Sequence, residues 1–547
     1  MTAIGQQLYH LFTSNLDKTV AVHVNADGSS LTVTGKDLAC DAQGVRLRLE
    51  QLNLPKSALV GIVHKSGPML HAAWLGTIWA GLVPTMVAPP SPRMEPRKYA
   101  DGFRSIISHL EIDALVIDEG TRESLATLMP DIPYLSTGDI SPQEPTLPID
   151  FEPDATIVVQ HTSGTTGAQK AIGFSSRQII AHAAAMKTTL DINDKDVIAS
   201  WLPLYHDMGF IACLVTPLLL GIKIVEISPF VWVANPGLLF DVIEQHRATF
   251  CWLPNFAFNV LSAERLLENK QGRWNLGHMR AFINCSEPVQ ANTVQQFTER
   301  LSRHGVRRDQ LIASYAMAEN LFLVTQNEIG KPVEMRFDKS SLETGKKASP
   351  DLDGVLLISN GSVVDTTKLA VHDKNGPLAE GHVGEICIFG THTFNGYRKR
   401  PDINEQVIDA DGWYKTGDLG FVFEEQVYVT GRSKDLIIIR GRNYHPQDIE
   451  HLVGQITGVS PGRSVAFSVL DEKAGTEKLV VMLELLPECT QTQSEVSLGV
   501  RRLVAQSLDT TIGDLQIVPS RSLVKSTAGK IARAENRLRY IEMTKGR

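Results

Sequence analysis

The chain has 547 residues, 43% of them hydrophobic and 21% charged, with 42 glycines and 27 prolines. These proportions exclude collagen-like, disordered and disulfide-scaffold classes and leave a globular protein of more than one structural unit. Fifty-three basic against 61 acidic residues give a net charge of −8, which offers no global attraction for nucleic acid or an anionic membrane.

The N-terminus, MTAIGQQLYHLFTSN, lacks a basic segment followed by an apolar one and does not read as a signal peptide. Short β-rich runs follow, ALVGIVH from Ala58, ALVID from Ala114, TIVVQ from Thr156, IKIVEI from Ile222 and AFINC from Ala281. Helical patterns such as QIIAHAAAMKTTL and NTVQQFTERLSRHG separate them, so an α/β architecture with parallel-type sheets is expected. The most apolar stretch, IACLVTPLLL from Ile211 to Leu220, is too short to span a bilayer. A soluble, cytoplasmic protein without membrane insertion is expected. The six cysteines are widely spaced, with no C-x-x-C pair, so neither a zinc site nor a disulfide framework is expected.

After about Val364 the texture becomes short strands and turns, a small β-rich unit, and beyond it lies a compact α+β tail. The best boundary is the charged turn Gly431 to Asp435, which divides the chain into a body, residues 1–433, and a C-terminal unit, residues 434–547. The last segment, Arg521 to Arg547, carries eight basic residues against Glu535 and Glu542 and is therefore +6. It reads as a solvated basic helix end, with a docking surface as the alternative.

The strongest local signal is HTSGTTGAQKA, His161 to Ala171, directly after an apolar run. Its glycines and hydroxyl residues suit a turn whose backbone N–H groups curl around an anion, with Lys170 adding charge. It is not a Walker A loop, because Gln169 stands where that motif has Gly. On composition alone a simple polar turn competes. GVSPG, Gly458 to Gly462, matches a nucleophile elbow formally, but a helix precedes it and a strand follows, the reverse of what that elbow needs.

Further along stand SWLPLYHDMGF from Ser200, INCSEPV from Ile283, ASYAMAEN from Ala313, GWYKTGDLGF from Gly412, VTGRSKDLIIIRGRNYHPQDIE from Val429 and KSTAGKIAR from Lys525. In this order and spacing they resemble the motifs of the adenylate-forming superfamily of acyl-CoA synthetases, adenylation domains and luciferases, over nearly the whole chain. The fatty acyl-AMP ligase branch is the nearest likeness, through LPLYHDMGF, GRNYHPQDIE and an insertion at about 325–361; Glu319 and Gly361 lie 42 positions apart. In that branch the insertion is thought to hinder use of coenzyme A.

The resemblance implies a large body of two α/β subdomains plus a small β-rich one, followed by a mobile C-terminal lid. It implies ATP-dependent activation of a carboxylic acid to acyl-AMP, with transfer to the phosphopantetheine thiol of an acyl carrier protein. An acyl-CoA synthetase, an amino- or aryl-acid adenylating enzyme and a catalytically silent nucleotide-binding homologue are the alternatives. Carried over by motif, Thr162, Ser163, Gly164, Thr165, Thr166 and Gly167 with Lys170 would cradle phosphates, and Glu319 would hold Mg²⁺. Asp418 and Arg432 would bind the ribose, while Asn284, Cys285, Ser286, Ser314, Tyr315, Ala316 and Met317 would line the adenine pocket. Lys530 would bridge the α-phosphate and the acyl carboxylate, Lys434 would be the hinge, and His206 and Asp207 would border the acyl entrance with Cys251 to Phe258, a run that reads equally well as apolar core. The chain departs from the pattern at Gln169 and Ala171, at Ala316 in place of Gly, and at Cys285-Ser286 in place of Gly-Ala, changes that restrict backbone freedom or close approach.

Overall fold

A computed structural model describes residues 3–90, 96–125, 132–149, 151–161, 170–267, 274–439, 442–471, 476–508, 510–526 and 529–544. The α/β reading holds, with two large sheets lying side by side. The first runs, edge to edge, through Ser362–Val363, Leu323–Gln326, Leu311–Ala316, Ala281–Asn284, Phe250–Leu253, Val197–Ser200, Lys223–Ile227, Thr19–Val24 and Ser30–Thr34. Its middle is parallel and only its flanks are antiparallel. The second runs through Tyr134–Ser136, Ala114–Ile117, Leu59–Val63, Val83–Met86, Thr156–His161 and Ala171–Ser175, parallel except for the last pair. Strands buried on both faces explain the continuous apolar runs of the sequence.

One apolar core serves both sheets. Its shared layer includes the helix Pro68–Trp79, which opens on a proline at its first turn and is buried from Leu70 to Trp79. His71 of that helix lies 3.0 Å from Glu226 Oε2, and His23, the register partner of Glu226, lies 3.2 Å from the same oxygen. Burial pushes the Glu226 carboxyl up, but His71 and His23 outweigh it and hold it below the ordinary range. This charge-assisted cluster fastens the helix to the first sheet.

The β-rich unit is a five-stranded antiparallel sheet from Thr367 to Arg432. The region of the sequence-read insertion packs on it. Glu334–Phe337 pairs with Val355–Ile358, and the fully buried Phe337 ring meets Phe421, Phe423 and Tyr428 at 5.0 to 5.5 Å. Beyond Ile437 the three-stranded sheet Val459–Asp471, Thr476–Leu485 and Ile512–Val518 carries separate apolar clusters on its two faces. Alternate residues divide them, Ala466 and Val481 on one face, Val465 and Val480 on the other. Among the described residues no helix is long and apolar enough to cross a membrane.

In the basic C-terminal segment Arg521, Arg537 and Arg539 are exposed, in keeping with a solvated helix end, while Arg533 is drawn inward. Arg533 pairs with Glu450 at 2.6 Å and Asp435 at 3.1 Å, Arg537 donates to the Ser468 carbonyl at 3.0 Å, and Arg539 donates to the Ser522 carbonyl. Lys545 and Arg547 lie outside the described residues. The run Cys251 to Phe258 is largely core: Cys251–Leu253 and Phe258 are fully buried, and within it Phe256 is the aromatic ring with an exposed edge.

Candidate functional site

The strand Leu311–Ala316 ends at a single 3₁₀ turn, Ala318–Asn320, that presents Glu319. The chain leaves this turn through Leu321, a buried leucine at φ +62°, a conformation that side chains rarely adopt and that concentrates at functional sites. The surroundings hold it there. Met317 N–H donates to the Phe322 carbonyl at 2.8 Å, Thr393 Oγ1 donates to Asn320 Oδ1 at 2.7 Å, and Phe394 N–H donates to the Glu319 carbonyl at 2.8 Å. The Tyr397 hydroxyl then donates to Glu319 Oε1 at 2.7 Å and touches the Tyr414 hydroxyl at 3.1 Å.

Lys170 approaches from the second sheet, its Nζ 4.4 Å from the centroid of the Tyr397 ring. Burial pulls the Lys170 pKa down and Glu319 opposes that pull. The residues 162–169, with Thr162 to Gly167 among them, lie outside the described residues. Their entry is described: His161, the last residue of its strand, meets Thr85 Oγ1 at 2.5 Å, and burial lowers its pKa to about 4.

A second carboxylate is set in a parallel way. The two oxygens of Asp418 accept from the Tyr315 hydroxyl at 2.7 Å and from Arg432 Nε at 3.0 Å. Asp418 is buried, whereas Arg432 leaves most of its side chain in solvent. The fields of Glu319 and Asp435 also reach Arg432 and raise its pKa, after the larger effect of Asp418.

From the C-terminal region Lys530 Nζ donates to the Ser286 carbonyl at 2.7 Å. Ser286 sits at φ +68°. His206 and Asp207 lie within the field of Lys530: burial and that cation lower His206 to about 3, while burial raises Asp207 and Lys530 opposes the rise. Asp207 also accepts from the Met208 N–H at 2.9 Å at the start of the helical turn Met208–Val215.

Of the residues read as an adenine wall, Ser286, Ala316 and Met317 are half-buried. Asn284 is buried, its Nδ2 donating to Asn255 Oδ1 at 2.9 Å while its Oδ1 has no partner among the described residues, and the Cys285 thiol is fully enclosed and pushed by burial up to about 11. Ser314 is buried, and Tyr315 is committed to Asp418. Ala171 and Ala316 both avoid positive φ, so their methyl groups carry no backbone strain. Lys434, in the 3₁₀ turn Ser433–Asp435, is exposed and within the field of Lys170.

Beside Asp207 a cleft of about 230 Å³ is lined by Met86, Val159, Leu204, Tyr205 and Phe210 together with His161. It shares Met86, Leu204 and Tyr205 with a neighbouring cleft of about 380 Å³ that continues past Leu70, Val87 and Phe230 to His64 and Lys65. The two clefts adjoin through these shared residues and are mixed in lining, with Gln160, His206 and Asp207 in the first and Ser66 in the second.

Sequence reasoning missed Tyr397, which sits in the turn FNGYR and reaches Glu319 only through folding. It also passed over Tyr414, although that residue lies in the quoted run GWYKTGD. No spacing rule marks a tyrosine 78 positions from the carboxylate it holds.

The family model described as AMP-binding enzyme matches residues 13–398. The chain is 28% identical over 514 residues to the 4-hydroxyphenylalkanoate adenylyltransferase of Mycobacterium tuberculosis, covering 88% of this chain and 82% of that protein. It is 29% identical over 498 residues to the "Probable long-chain-fatty-acid--AMP ligase FadD30" of the same organism, covering 85% and 84%. Among solved structures it resembles one from a study of fatty acyl-adenylate ligases from E. coli and L. pneumophila, at TM-score 0.89 and 23% identity, covering 100% and 99%. A fatty acid AMP ligase from Legionella pneumophila superposes at TM-score 0.77 with 25% identity, covering 100% and 96%. With a family model spanning most of its length, the chain belongs to the AMP-binding enzyme family and is an adenylate-forming ligase.

Proposed function

We propose that the protein activates a carboxylic acid of fatty or related acyl type to acyl-AMP, releasing pyrophosphate, and passes the acyl group to the phosphopantetheine thiol of an acyl carrier protein in the cytoplasm. The observation that carries this reading is Lys530. It comes from the C-terminal region, yet its ammonium lies at the Ser286 carbonyl of the body and its field reaches Asp207, which lines the cleft with Tyr205 and Phe210. The attacking carboxylate is already ionised at neutral pH, by analogy with side-chain acids at about 4, so the enzyme's task is positioning and neutralisation rather than proton removal. Lys530 would leave the Ser286 carbonyl for the α-phosphate and the acyl carboxylate, where negative oxygens approach one another.

Asp418 and Arg432 are assigned to the ribose. A carboxylate has about four lone-pair sites, so its two existing partners leave room for sugar hydroxyls. Glu319 suits Mg²⁺: it is a hard oxygen donor, fixed through one oxygen by Tyr397 and facing Lys170, where ATP phosphates would be drawn. When bound, the ion supplies neutralisation of phosphate charge. The phosphate-loop role of Thr162 to Gly167 rests on the sequence motif.

We assign residues 1–433 to the body and 434–547 to a lid hinged near Lys434. The segment 325–361, pinned by Phe337, is assigned the role of limiting the lid postures that admit free coenzyme A. Incubation with ATP, Mg²⁺ and a panel of aliphatic, aromatic and amino acids, read by mass, tests the activation step. Acyl-AMP from an aliphatic acid is the expected product, and absence of any adenylate across the panel would overturn it. Offering free coenzyme A and a phosphopantetheinylated carrier side by side tests the acceptor, with transfer expected to the carrier.

A further inference from the structure

Lys530 is not alone in crossing the seam. Lys525 bridges Ile531, the Ser526 N–H donates to the Lys530 carbonyl at 2.7 Å and the Gly529 N–H to the Ser526 carbonyl at 2.9 Å, so the two lysines stand on opposite limbs of one turn. Lys530 reaches the Ser286 carbonyl. Lys525 Nζ lies 5.6 Å from the centroid of Phe256, whose own N–H donates to Glu287 Oε2 at 2.9 Å. Ser286 and Glu287 are consecutive, so one turn addresses two successive body residues. The turn also rests on the ring: a Cβ built at Gly529, where φ is +79°, would lie 3.5 Å from Phe256 Cζ.

Lys525 is taken largely out of water. Burial, with Arg463 nearby, pulls its pKa down to about 8, while Glu287 and Glu484 oppose that pull. A desolvated ammonium is costly unless an aromatic face and a carboxylate offset the loss. Phe256 and Glu287 supply both.

We propose that Lys525, Phe256 and Glu287 form a seat that holds the C-terminal region in the posture where Lys530 enters the cleft. They are positioning residues, and their purpose rests on the reading that Lys530 serves acid activation.

The seam offers a reporter independent of chemistry, because Asn292 Nδ2 lies 2.9 Å from His451 Nε2 on the other side. In the full chain carrying Asn292→Cys and His451→Cys, with the half-buried Cys40 and Cys489 replaced by Ser, the rate of cross-linking by a short bis-maleimide, whose span suits side chains that touch only at their tips, measures how often the seam closes. Lys525→Met and Glu287→Gln should each slow that rate about tenfold, Lys525→Arg should stay within about twofold of the parent, and the double variant should be no slower than the slower single. Parent rates in both singles would overturn the seat, and so would a double variant whose loss is the product of the two. ATP–pyrophosphate exchange in Lys530→Ala, on the acid found with the panel above, tests the catalytic reading separately: retained exchange there would sink that reading and leave the cross-linking result intact.

Discussion

The body and the C-terminal region meet at the site but are fastened to it in different ways. The body's carboxylates are wired in advance: Glu319 through Tyr397 and Tyr414, Asp418 through Tyr315 and Arg432, all inside a sheet framework with one continuous core. The C-terminal region has cores of its own and reaches across through a few side chains, chiefly Lys530, Lys525 and His451. Fixed groups suit recognition of a ligand that must always be met in the same place. Sparse polar contacts suit a part that must let go, since each is weak enough to exchange for another.

The sharpest way to break this comparison is Lys530→Ala. Acyl-AMP formation should fall by about 10³-fold, the scale of losing one transition-state donor, with an unchanged melting temperature. Near-normal pyrophosphate release from the folded variant would refute the assignment. Asp418→Asn should act in the opposite sense, raising KM for ATP about tenfold to a hundredfold because Arg432 loses its charged partner, while kcat moves less. A fall in kcat alone would erase the proposed distinction between a body that binds and a C-terminal region that reacts. Tyr397→Phe removes one hydrogen bond to a carboxylate and should cost about tenfold in kcat/KM, with little change in lid cross-linking.

The smallest and most general effect is acid sensitivity of the body. His23, His161 and His392 are held neutral by burial, with pKa values lowered to about 4, and His206 to about 3, against an ordinary 6.5. Folded-state values below the unfolded one mean that the native state binds fewer protons, so this stability is full above pH 6.5 and is lost as pH falls toward 4. Urea midpoints should therefore hold steady from pH 8 to 6.5 and then drop. A midpoint unchanged at pH 5 would contradict the assigned burial of these imidazoles.

Much of the fold was legible because parallel strands buried on both faces write themselves as apolar runs, as in ALVID and AFINC. The charged members of the site were legible because each lies in a local motif. What stayed hidden was pairwise and long-range. Nothing in the sequence shows that the Asn284 amide nitrogen meets Asn255, or that Arg533, unlike its exposed neighbours Arg537 and Arg539, finds Glu450 83 positions away. Phe256 was embedded in an apolar run that could not be told from core.

Phe256 also has neighbours that turn the seam into an optical element. Its ring meets Trp201 at 6.1 Å and Trp232 at 6.3 Å edge-on, and those two indoles stack at 3.7 Å with 6° between their planes. Two indoles this close share their excitation, so their near-ultraviolet circular dichroism belongs to the pair rather than to either ring. A cation arriving at or leaving Phe256 perturbs the ring that abuts them both. The protein thus carries, without any added dye, a chromophore placed where its C-terminal region meets the body.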